Sequence, residues 1–149
     1  MKTIIILAFL QNLWVKDPRY TYDFFKKYPN SRNNIIKSLL FMGCLTGRRI
    51  KKAFGWELAD RIIYDECTKE IANNPKTICN PDLEHIKETL NKFKPDRVIT
   101  FGAIAYKAVS KVFPKDKIFK SPHPAARQKN TMDKLKSIAK ELTWKQLGK

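Results

Sequence analysis

Two short runs of the 149-residue chain restrict its fold more than any other feature: Ile4 to Leu10 and Asp96 to Phe101. The first is apolar at every position and rich in β-branched residues. The second, Asp96-Arg97-Val98-Ile99-Thr100-Phe101, follows Pro95 and stops at Gly102. A strand without polar alternation has both faces covered, as a central strand of a parallel sheet does. Arg61 to Tyr64 and Lys117-Ile118-Phe119 are weaker strand candidates. Helical patterns separate them. Asn34 to Met42 carries Ile35, Ile36, Leu39, Leu40 and Phe41 and can end at Gly43. Thr46 can cap Gly47 to Phe54. Asp82 to Phe93 has apolar residues at Leu83, Ile86, Leu90 and Phe93. Ala103 to Phe113 follows the second strand, and Met132, Leu135, Ile138, Ala139 and Leu142 mark a lysine-rich final helix. This alternation is the grammar of a three-layer α/β/α domain with a central, mainly parallel four-stranded sheet. The length suits a single domain over residues 1–149.

Ligands of such sheets bind beyond the carboxyl ends of the strands. That rule selects Gln11-Asn12, Gly102-Ala103 and Ser121 to Arg127. The stretch from Asn73-Asn74-Pro75 to Cys79-Asn80-Pro81 reads as a surface loop.

Lysine and arginine number 30 against 14 acidic residues, a formal net charge of +16. Such a field favours a polyanion, and the expected partner is nucleic acid. The basic residues are spread between apolar segments rather than gathered in a polybasic tail, so membrane attachment is not expected. Cys44, Cys67 and Cys79 are odd in number and far apart, which argues against a disulfide framework and against a four-cysteine zinc or iron–sulfur site. A reducing cytoplasm is the expected location. The apolar start of the chain superficially resembles a signal peptide, but no small-x-small cleavage site follows it.

His123 stands between Pro122 and Pro124, just past a predicted strand. Two prolines restrict the backbone around it, and a held imidazole suits stabilisation of charge on a leaving group. A turn histidine that only packs is the alternative. His85, inside a helical pattern, is expected to be solvated. Asn12 abuts the first strand and can orient water or meet a base edge; Asp17, in Lys16-Asp17-Pro18-Arg19-Tyr20, competes with it. Both can equally be turn or cap residues. Phe24 and Phe25, with Tyr20, Tyr22 and Tyr28, form an aromatic cluster of the kind on which an extruded base stacks, with core packing as the alternative. Arg48 and Arg49 are candidate phosphate contacts, and Gly102 could let a phosphate approach the following helix.

Four stretches, in order, resemble the uracil-DNA glycosylase superfamily, closest to its mismatch-specific uracil and thymine-DNA glycosylase branch. Leu10-Gln11-Asn12-Leu13-Trp14 sits where that branch has a strand-end G-x-N-P-G motif, with Leu10, Leu13 and Trp14 in place of the glycines and proline. Asn33 to Lys37, then Gly43 to Ile50, is similar to the helix and Gly-x-Thr turn that follow. Lys94 to Ala105 looks like the strand ending in Gly-x-x-Ala. His123-Pro124-Ala125-Ala126-Arg127 matches the second motif, often H-P-S. Asp17-Pro18 with Tyr20 offers a second register, similar to an aspartate-proline-tyrosine motif elsewhere in the superfamily. The resemblance implies a monofunctional DNA glycosylase that flips a nucleotide and hydrolyses its N-glycosidic bond without metal or cofactor. Asn12, or Asp17 in the other register, would position water or meet the base. Phe24 or Phe25 would stack on it, and Gln11, Ser121 and Pro124 would border it. His123 would hydrogen-bond the departing pyrimidine, while Arg48, Arg49, Gly102, Ala126, Arg127 and Gln128 would face the DNA, single- or double-stranded. The protein is expected to act as a monomer. A catalytically silent DNA-binding module that keeps the base pocket is the alternative implied by the altered first motif.

Overall fold

The computed structural model describes residues 4–146; residues 1–3 of the apolar start and 147–149 lie outside the described residues. Four parallel strands form the main sheet in the order β3-β1-β5-β6, with β1 at Ile6–Leu10, β3 at Ile63–Glu66, β5 at Arg97–Phe101 and β6 at Ile118–Ser121. A two-stranded parallel ladder joins β2 (Leu13–Trp14) to β4 (Ile71–Ala72). Among the described residues seven α-helices accompany the strands: α1 (Pro18–Lys27), α2 (Arg32–Leu40), α3 (Leu45–Phe54), α4 (Trp56–Arg61), α5 (Leu83–Phe93), α6 (Ala103–Val109) and, after the last strand, α7 (Thr131–Gln146).

The unbroken apolarity of β1 has the predicted cause. All five of its residues are buried, and they divide between two cores. Ile6, Ala8 and Leu10 face a layer built from α2, α3, α4 and α7, which supply Ile36, Leu40, Ile50, Phe54, Leu58 and Leu135. Leu7 and Phe9 face the other layer, where Ile86 and Leu90 of α5 meet Ala105, Ala108 and Val109 of α6. Side chains alternate across a strand, so one run serves both layers. The result is the expected α/β/α sandwich.

Several boundaries differ from the sequence reading. The strand expected at Arg61 to Tyr64 runs instead from Ile63 to Glu66, because Arg61 ends α4 and Asp65 and Glu66 are accommodated inside. Cys44, not Thr46, is the N-cap of α3, its sulfur accepting from Gly47 N, so Thr46 lies within the first turn. The helix expected to reach Phe113 ends at Val109. The α1 helix was not anticipated, although Asp17 and Pro18 carry its start signal: Asp17 accepts from Arg19 N and Pro18 occupies the first turn.

Candidate active site

Parallel strands bring their carboxyl ends to one edge. There Leu10 pairs in register with Glu66 and Phe101 with Ser121. A cavity of about 420 Å³ opens above this edge, within the range of small-molecule sites, about 300–1,000 Å³. Leu10 to Val15 form one wall and Ile36, Leu39 and Leu40 of α2 another. Cys44, Thr46, Pro75, Thr77 and Ile78 extend the rim, while Glu66, His123 and Ala125 complete the lining. Among the described residues that line the cavity, Trp14 is the one with a phenyl or indole ring.

His123 is reached through a constrained turn. Gly102 N donates to Ser121 O at 2.9 Å, Ala126 N donates to His123 O at 2.9 Å, and Ser121 Oγ donates to Pro122 O at 2.8 Å. Gly102 itself has φ +96°, a backbone conformation that disfavours a side chain. Arg49 fastens the turn from α3, its Nη1 donating to Pro124 O at 2.8 Å and to Ala126 O at 2.9 Å. Its guanidinium is thus engaged with the loop, whereas Arg48, Arg127 and Gln128 are exposed. Ala125 N donates to His123 Nδ1 at 3.1 Å. That bond leaves the ring proton on Nε2, and burial holds the imidazole pKa below its ordinary value. His123 is therefore a neutral donor.

Asn12 lines the cavity with its amide already committed. Its Oδ1 accepts from Cys79 N at 3.1 Å, and its Nδ2 donates to Thr77 O at 3.4 Å and to Leu13 O at 3.2 Å. It latches the 75–79 loop against the end of β1, so this exposed loop becomes a cavity wall. Neighbouring Gln11 also lines the cavity, and among the described residues its side chain makes no hydrogen bond.

The end of β3 holds what sequence reading missed. Glu66 is 4% exposed, and its Oε2 is buried without a hydrogen-bond partner among the described residues. Burial, then the charge of Asp65, raises its carboxyl to about 8 despite the opposing charge of Arg32. Asp65 differs. It accepts from Arg32 Nε at 3.2 Å, Asn33 Nδ2 at 3.0 Å, His85 Nε2 at 3.1 Å and Thr89 Oγ1 at 3.3 Å. Burial pushes its pKa upward, but the His85 bond and the Arg32 charge prevail, and the carboxyl stays below its ordinary value. His85, expected in solvent, is 4% exposed in this network; the buried Asp65 draws it in. The rule that selected strand ends finds Glu66 once β3 is placed two residues later.

The remaining candidates fall outside the cavity lining. Asp17 caps α1 and pairs with Arg19 at 2.9 Å in solvent. Phe25 packs against the core, with Arg32 4.9 Å from its ring centre. Phe24 is half exposed and borders a separate groove between α1 and α2. Pro124 is buried in the His123 turn.

Gly47 sets the distance between two cavity walls. A Cβ at this position would lie 1.7 Å from the carbonyl oxygen of Leu40, so α3 meets the end of α2 without room for a methyl group. Cys44 Sγ donates to the same carbonyl at 3.0 Å.

No helix among the described residues is long and apolar enough to cross a membrane. Comparison with curated protein sequences returned no match. The profile of the uracil DNA glycosylase superfamily matches residues 26–148, which include α2, β3, β5, β6 and the His123 turn and begin after β1 and Asn12. A four-stranded parallel sheet with a cavity at its carboxyl edge and a match over most of its length place this chain in the uracil DNA glycosylase superfamily.

Proposed function

We propose that this protein is a monofunctional DNA glycosylase that removes uracil, mismatched thymine or a modified pyrimidine from DNA, as the mismatch-specific branch of the superfamily does. The observation that carries this reading is the pairing, in one cavity, of the neutral His123 donor with the neutral Glu66 carboxyl. A flipped base enters the cavity and stacks on Trp14. Glu66, protonated at pH 7, presents an O–H donor beside a C=O acceptor. It can therefore donate a hydrogen bond to a base acceptor such as O4. An ionised carboxylate would repel O4.

As the N-glycosidic bond breaks, its electron pair passes to the pyrimidine. His123 Nε2–H donates to the oxygen on which that charge develops. Water held by Gln11 adds to C1′ of the sugar. The water's proton passes to the departed base or to solvent, leaving an abasic site. The +16 charge draws in the phosphate backbone, with Arg48, Arg127 and Gln128 as exposed contacts.

The engaged Asn12 amide favours a second reading, a binding module that holds an extruded base and does not hydrolyse the bond. One experiment separates the two. Oligonucleotides carrying uracil, thymine opposite guanine, or hydroxymethyluracil are incubated with the protein, then treated with alkali to cleave abasic sites. Strand cleavage on at least one substrate, lost in His123→Ala, is the expected result. Intact strands with DNA affinity preserved would leave the silent module as the function.

A further inference from the structure

The α1 helix carries more aromatic surface than its packing uses. Among the contacts that hold it to the body are Phe25 against the core, with Arg32 over its ring, and the Tyr22 hydroxyl, which accepts from Ile71 N at 2.6 Å. Tyr20 and Phe24, four residues apart on α1, and Tyr28, its C-cap, are all exposed. Tyr20 is 75% exposed and Phe24 49%. The Phe24 and Tyr28 ring centres are 4.9 Å apart, and Lys27 Nζ lies 5.5 Å from the Tyr28 ring centre.

Tyr20 and Phe24 border a groove of about 420 Å³ between α1 and α2, lined also by Ile35, Ser38 and Leu39. Leu39 lines the base cavity as well, so groove and cavity share a wall. Lys16, Lys26 and Lys27 lie in the same stretch of chain, Lys27 beside the Tyr28 ring, while Arg19 is paired with Asp17.

Aromatic faces interleaved with cations match the chemistry of unpaired nucleotides, whose bases stack while their phosphates are neutralised. In a duplex the base faces are hidden against one another. We propose that the Tyr20–Phe24 groove is a stacking subsite for an unpaired base next to the one held in the cavity, making single-stranded DNA the preferred substrate. The word "next" rests on the cavity being the base-binding site; the preference for single strands does not. Stacking uses the face and not the edge of a base, so the subsite tolerates any sequence.

The test is equilibrium binding, at one ionic strength, of a short fluorescein-labelled oligothymidylate and of a duplex of equal length. The single strand should bind more tightly. Tyr20→Ala/Phe24→Ala should weaken single-strand binding roughly 5–100-fold, the weight of one stacked base, and leave duplex binding within about twofold. Tyr20→Trp should keep the affinity and show indole quenching beyond that of the wild type when the oligonucleotide binds. Tyr20→Ala alone tests the same contact should the double variant lose helical circular dichroism. Equal affinity for the two DNA forms, or undiminished single-strand binding by the alanine variants, overturns the proposal. So does loss of self-association in the variants with DNA binding unchanged, which would make the groove a protein interface. Failure of the glycosylase reading looks different: no abasic product, with the strand preference intact.

Discussion

Asp65 and Glu66 are consecutive, end the same strand and are both almost wholly buried, yet their side chains meet opposite circumstances. Asp65 is surrounded by donors from α2 and α5 and stays ionised. Glu66 has an oxygen with no partner, borders the cavity and is neutral at pH 7. Side chains alternate across a strand, so one step along β3 separates a structural carboxylate from one left available to a ligand. The difference shows why burial alone does not identify a functional acid. What distinguishes Glu66 is an unmet hydrogen bond in a residue that borders a space a ligand can fill.

The largest expected effect is on Asp65. Asp65→Asn leaves Arg32 without its counter-charge and disturbs the acceptor that His85 uses, and should cost about 3–5 kcal/mol in urea denaturation. A loss under about 1 kcal/mol would erase the contrast, since surface ion pairs are worth that little. His123→Ala should do the reverse. It should lower kcat by about 10²–10³, some 2.7–4 kcal/mol of barrier, while single-turnover excision and melting on one preparation show stability changed by less than about 1.5 kcal/mol.

Arg49→Met sits between these extremes. Losing two charge-assisted bonds to the Pro124 and Ala126 carbonyls should destabilise by about 1.5–3 kcal/mol. Steady-state kinetics should also show kcat reduced about tenfold with KM little changed, because His123 loses its position and not its chemistry.

Glu66→Gln should have the smallest effect at neutral pH, because glutamine also offers a donor beside an acceptor. Its signature is in pH dependence. The folded carboxyl is raised from 4.5 to about 8, so its contribution to stability is complete below 4.5 and is lost as pH rises to about 8. Melting temperatures of the wild type should fall relative to the variant across that window. Excision by the wild type should also decline through about pH 8 while the variant stays level. Parallel profiles for the two proteins would place Glu66 with Asp65 as structure.

The central strands were legible because unbroken apolarity has one simple physical meaning, and the His123 turn because two prolines and a strand end mark it locally. The last residues of β3 were not. Buried carboxylates contradict the pattern by which strands are recognised, and the partners that reconcile Asp65 with the interior, Arg32 and His85, lie 33 and 20 residues away. His85 was misplaced for the same reason: nothing within its own helix announces Asp65. Asn12 was rightly placed at the strand end, but its amide is used by Thr77 and Cys79, 65 and 67 residues distant. That wall of the cavity exists only through tertiary contact.

The missing methyl at Gly47 bears on selectivity. With Gly47 of α3 resting on the Leu40 carbonyl, α3 approaches the end of α2 closer than any side chain would allow, and that approach sets the spacing of Leu40, Cys44 and Thr46 in the cavity wall. On the proposed function, a base would be admitted by its dimensions, as by a sieve, before any hydrogen bond reads its edge.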